Sequence, residues 1–122
     1  MSQHPIVHIE ISAKDREVAG KFYSDVFGWK IQQLPEMNYA TFEAEGGPGG
    51  GLNPVENDQS TPIMVYINTN DIDASMQKIQ KSGGKLVRPT DEVPGMGQFA
   101  FFSDPTGNIL ALWHPSMPPP GD

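Results

Sequence analysis

IVHIEISAKDREVAGKFYSDVFGWKI, residues 6–31, returns in outline at residues 62–87 as PIMVYINTNDIDASMQKIQKSGGKLV. In the first stretch the residues alternate, so that Val7, Ile9 and Ile11 fall on one face of a strand and Ile6, His8 and Glu10 on the other. Val18, Ala19, Phe22, Tyr23, Val26 and Phe27 then recur at helical spacing. With Ser12 or Asp15 to cap the start and Gly28 past the end, they predict a helix over 15–27. In the second stretch Met64, Tyr66 and Asn68 alternate with Val65 and Ile67, and Ile72, Met76 and Ile79 mark a helix ending at Gly83 and Gly84. Met64 from His8, Asp71 from Asp15 and Gly84 from Gly28 all stand at one offset of 56 positions, without a gap. One supersecondary unit is written twice.

The segments after each helix extend the repeat. WKIQQLP and NYATFEAE read as strands joined by a turn around 35–38, succeeded by the glycine run GGPGGG at 46–51 and a short apolar GLNPV. After the second helix come GKLVRPTDEV, the turn PGMG, the strand QFAFFS, the turn DPTG and the strand NILALWH. Two tandem βαβββ modules, an α+β chain, account for this order.

Composition narrows the function. The 122 residues carry 8 Lys and Arg against 15 Asp and Glu, a formal charge of −7, with no basic run able to neutralise a phosphate backbone. Nucleic acid and anionic membrane surfaces are not expected partners. Cysteine is absent, which excludes disulfides and thiolate metal sites, and no stretch approaches the ~20 apolar residues of a membrane span. MSQHPIVHIEI has no signal-peptide pattern, and a cytoplasmic protein is expected.

On VHIEI, KFYSDVFGWKI, KSGGKLV, PGMGQFAFFSDPTGNILALW and the repeat itself, the chain resembles the glyoxalase/bleomycin-resistance/dioxygenase superfamily, also called vicinal oxygen chelate proteins, over roughly residues 6–115. The resemblance is to its short glyoxalase-like members. It implies a curved mixed sheet around a cavity with helices outside. The chain reads as a single domain over 1–115 built of module one at about 6–57 and module two at about 62–115, with the proline-rich tail at 116–122 expected to be mobile; the apolar sheet edges and half-open cavity of such modules suit a homodimer. Family members bind a divalent metal through side chains on the first and last strands of each module. Carried over, those places fall on His8, on Met64, on Ala111, and in module one on GGGLNPV with Glu56 just beyond. A hard ion needs several converging oxygen or nitrogen ligands, and this set is incomplete; His8 and Glu56 are the weak candidates, and no metal cofactor is expected.

Two classes of function remain open. His8 and Glu10 share a strand face and suit a general base with an assisting carboxylate, acting on a small carbonyl or oxygenated metabolite. The alternative for the pair is a hydrogen-bonded histidine beside a glutamate held by Arg88 or Lys30. Ile6, Met64, Tyr66, Phe101, Ala111 and Trp113 offer a ligand-binding lining of apolar and aromatic surface, with the phenylalanines, Phe99 and Phe101, nearer to plain packing. The resemblance implies two activities as alternatives to simple metabolite binding: a metal-dependent lyase or dioxygenase using His8, or an antibiotic-sequestering resistance protein. The run at 46–51 is expected as a loop at the cavity mouth or a flexible connection, Asp91 and Glu92 as an exposed connection, and His4 and His114 as surface residues.

Overall fold

The computed structural model describes residues 4–55 and 62–116. Glu56 and the tail beyond 116 lie outside them. Asp15 is extended and its carboxylate accepts the backbone N–H groups of Glu17 and Val18, starting α1 (Arg16–Phe27), which Gly28 closes in the left-handed region at φ 74°. Asp71 does the same for α2 (Ile72–Lys81) through the N–H of Ala74. The strands are β1 (Ile6–Ala13), β2 (Lys30–Leu34), β3 (Tyr39–Glu43), β4 (Gly49–Pro54), β5 (Ile63–Asn68), β6 (Lys85–Val93), β7 (Gly97–Ser103) and β8 (Ile109–Pro115), with a 3-10 turn at Pro35–Met37. Strand, helix and three strands follow one another twice, as the repeat predicts. The chain is α+β with parallel and antiparallel pairing.

Among the described residues, those within Ile6–Val65 form one compact unit, and those from Tyr66 onward, with His4 and Pro5, form the other. In the first unit the strand order is β2-β3-β4-β1, with β4 parallel to β1 and antiparallel to β3. Ala13, Ala40, Phe42 and Leu52 are buried there with Ile9, Ile11, Ala19, Tyr23, Trp29 and Ile31 packed on them. The rings of Tyr23 and Trp29 stack at 5.1 Å and those of Trp29 and Phe42 at 4.6 Å, so a column of aromatics fastens α1 to the sheet. Odd-numbered residues of β1 thus face the helix. His8, Glu10 and Ser12 face away from it.

In the second unit β8 lies parallel to β5 and antiparallel to β7, and β7 antiparallel to β6. Ile72, Met76, Ala100, Phe102 and Leu112 form its core, with Ile67, Ile79 and Leu110 against them. The alternate residues Tyr66, Phe99, Phe101, Ala111 and Trp113 belong to the face turned from α2. Among the described residues no helix is long and apolar enough to cross a membrane.

Three expectations need correction. Gly49–Gly51 are not a loop: they are the first half of β4, paired with His8, Ile9 and Glu10 of β1. Glycine suits this strand because a Cβ on Gly50 would run into the Ile9 carbonyl oxygen and the Phe42 ring. The equivalence of Gly28 and Gly84 fails by one residue, since α2 is two residues shorter than α1 and the left-handed glycine after it is Gly83, at φ 99°. Asp91 and Glu92 lie within the exposed strand β6 and not on a connection.

Candidate functional site

Alternation along β1 brings His8 and Glu10 to the helix-free face of the first unit, and there His8 Nε2 and Glu10 Oε2 are hydrogen-bonded. A buried carboxylate needs partners, and Glu10 is only 8% exposed. Its second is a residue the sequence reading did not select: the Tyr39 hydroxyl donates to Glu10 Oε2 at 2.6 Å and stands 3.5 Å from His8 Nε2. Tyr39 opens β3, two strands away from β1, and no local pattern ties it to Glu10. The one available signal was the glycine run, which marks a strand over which a large side chain can lie. Among the described residues the partners of Glu10 are His8 and Tyr39, not the expected Lys30, and Arg88 pairs with Asp91.

Among the described residues these donors do not make up a complete divalent-metal site. His8 Nε2 and the Tyr39 hydroxyl are both turned onto one carboxylate oxygen, and the place on β4 beside Glu10 is Gly51, which has no ligand to offer. Among the described residues no three His, Cys, Asp or Glu side chains converge as a metal site would require. What the cluster can do is hold and pass protons. Imidazole, carboxylate and phenol are joined by hydrogen bonds on the helix-free face of the first unit.

The remaining candidates belong mostly to the second unit. Tyr66, Ala111 and Phe101 are neighbours in register across β5, β8 and β7, and Trp113 lies opposite Phe99. The Tyr66 and Trp113 rings meet edge to face at 6.5 Å. The Arg88 guanidinium lies 5.0 Å from the Phe99 ring centroid and 5.7 Å from that of Phe101, and it pairs with Asp91 at 2.8 Å. The backbone N–H of Glu92 and the Arg88 side chain hold the Asp91 carboxyl below its ordinary range. Ala111 is fully buried, Met64 is buried on β5, and Ile6 is exposed at the start of β1. Contrary to expectation, His114 is half-buried: its Nδ1 lies 3.0 Å from the Thr69 carbonyl oxygen, and the Thr69 hydroxyl pairs with Ser75 at 2.6 Å. That network ties the end of β8 to the start of α2. An open cleft of about 600 Å³ beside Lys30, Glu43, Glu45 and Gly49 contains neither His8 nor Glu10.

The profile described as Glyoxalase/Bleomycin resistance protein/Dioxygenase superfamily matches residues 5–112. A glyoxylase-like domain-containing protein of Didymella fabae is 37% identical over 113 residues, covering 85% of this chain and 88% of that protein. The anthracycline biosynthesis protein DauV of Streptomyces sp. (strain C5) is 28% identical over 129 residues, and the match spans 85% of this chain but only 44% of that longer relative. Among solved structures, methylmalonyl-CoA epimerase from Mycobacterium tuberculosis superposes with a TM-score of 0.69 at 17% identity, covering 92% of this chain and 88% of that one. At that identity the likeness is one of fold.

Proposed function

The chain belongs to the Glyoxalase/Bleomycin resistance protein/Dioxygenase superfamily, and from that premise we propose that it binds a small carbonyl metabolite and exchanges a proton beside the carbonyl with His8 and Glu10, without a metal. The single observation behind this reading is the hydrogen-bonded cluster of His8, Glu10 and Tyr39 on the helix-free face of the first unit. In the step, the C–H bond next to the carbonyl breaks and its electron pair moves to the carbonyl oxygen as an enolate. The proton passes to the His8–Glu10 pair, which returns it to carbon. Nothing is oxidised or reduced, and a largely desolvated carboxylate is a stronger electrostatic partner than one in water.

Proton NMR in D2O with EDTA, using pyruvate, methylglyoxal and acyl thioesters as probes, tests the proposal. Solvent deuterium should enter the position beside the carbonyl of at least one probe, and Glu10→Gln should slow it about 100-fold or more. Exchange that appears only when a divalent ion is added, or that survives Glu10→Gln unchanged, sinks it. A second reading, sequestration of a flat apolar molecule without chemistry, is favoured by the aromatic face of Tyr66, Trp113, Phe99 and Phe101 under Arg88. The relative named for anthracycline biosynthesis accords with it. Saturable quenching of tryptophan fluorescence by a polycyclic aromatic, with no exchange in any probe, is its signature. We also propose a homodimer, because α1 turns Val18, Phe22 and Val26 to solvent one helical turn apart.

A further inference from the structure

From β3 to β1 is two interstrand steps of about 4.8 Å each, so Tyr39 reaches Glu10 only by lying flat over β4. The residue of β4 beside Glu10 is Gly51, and a Cβ there would overlap the Tyr39 hydroxyl and ring carbons outright. The hydroxyl then donates to Glu10 Oε2, the same oxygen that His8 engages. Each carboxylate oxygen has two lone-pair sites, so these two bonds occupy Oε2 and leave Oε1 as the atom to take a substrate proton.

We propose that Tyr39 is the positioning residue of this site and that position 51 is glycine in order to admit it. This rests on the reading of His8 and Glu10 as a proton-exchange centre. Tyr39 holds the carboxylate in one rotamer and directs Oε1 outward, and it fills the space through which a side chain on β4 would otherwise project toward Glu10. A phenol stands where a strand-borne ligand would stand.

The test has a functional arm and two that need no ligand. Tyr39→Phe keeps the ring and removes the donor: deuterium exchange into the responsive probe should fall about tenfold or more, with the affinity for that probe within about threefold of the parent's. A downfield hydroxyl proton of Tyr39, absent from Tyr39→Phe, should also be lost in Gly51→Ala. The third arm is stability. Gly51→Ala alone should destabilise the protein or prevent folding, and Tyr39→Ala in the same chain should restore it, because the overlapping ring is gone. Gly51→Ala that leaves both stability and the hydroxyl resonance unchanged overturns the proposal, as does full exchange activity in Tyr39→Phe. A parent that exchanges no probe defeats the proposed function, while the resonance and the rescue still decide whether Tyr39 orders Glu10 through Gly51.

Discussion

Asp104 closes the DPTG turn by accepting from the Thr106 and Asn108 backbone N–H groups, the Thr106 hydroxyl and the Asn108 side chain. The Asn108 side chain, then its backbone and Thr106, hold the carboxyl down from 3.8 to about 2. A folded-state value below the unfolded one means that the stabilisation is complete above about pH 4 and is lost as the pH falls toward 2. Asp104→Asn should therefore flatten the acid limb of stability between pH 4 and pH 2, read as urea midpoints across that range. Coincident limbs for parent and variant would remove the turn from the acid response. Turn chemistry of this kind is local, and the sequence DPTG carries it openly. His8 and Glu10 were equally legible, because alternation along one strand decides which face they take. Tyr39 was not: its role comes from a hydrogen bond across 29 positions of sequence.

At the scale of elements, Asp15 and Asp71 stand at the repeat offset and both cap helices. Asp15→Ala and Asp71→Ala should each cost about 1 kcal/mol by chemical denaturation. A loss at one and none at the other would show that the repeat is not matched in its capping energetics. The sequence places a last strand of module one at GLNPV but conceals that β4 begins two residues earlier, within the glycine run. Three successive glycines have no side chain to alternate and lose the most backbone freedom on ordering, so they read as a loop. Pairing with β1 on one side and β3 on the other makes them a strand. The register repeats as well: Glu10 pairs with Gly51 and Tyr66 with Ala111, so the buried Ala111 of the second unit corresponds to Gly51 of the first.

For the whole molecule, the test of association is Phe22→Glu. Phe22 is exposed on α1 between Val18 and Val26, so the substitution leaves the fold of one chain intact and breaks an apolar contact between copies. Sedimentation at micromolar concentration should show a dimer for the parent and a monomer for the variant; a monomeric parent ends the proposal. By itself the sequence determined the two modules, both helices, the strand faces of His8 and Glu10, and the family, because periodicity acts within a few residues and is written along the chain. Only the tertiary structure decided that Gly49–Gly51 are a strand, that Tyr39 completes the cluster at Glu10, that Arg88 rests on Phe99 and Phe101, and that His114 binds Thr69. Alternation tells which way a side chain faces, whereas its neighbours depend on which distant strand pairs beside it and in what register.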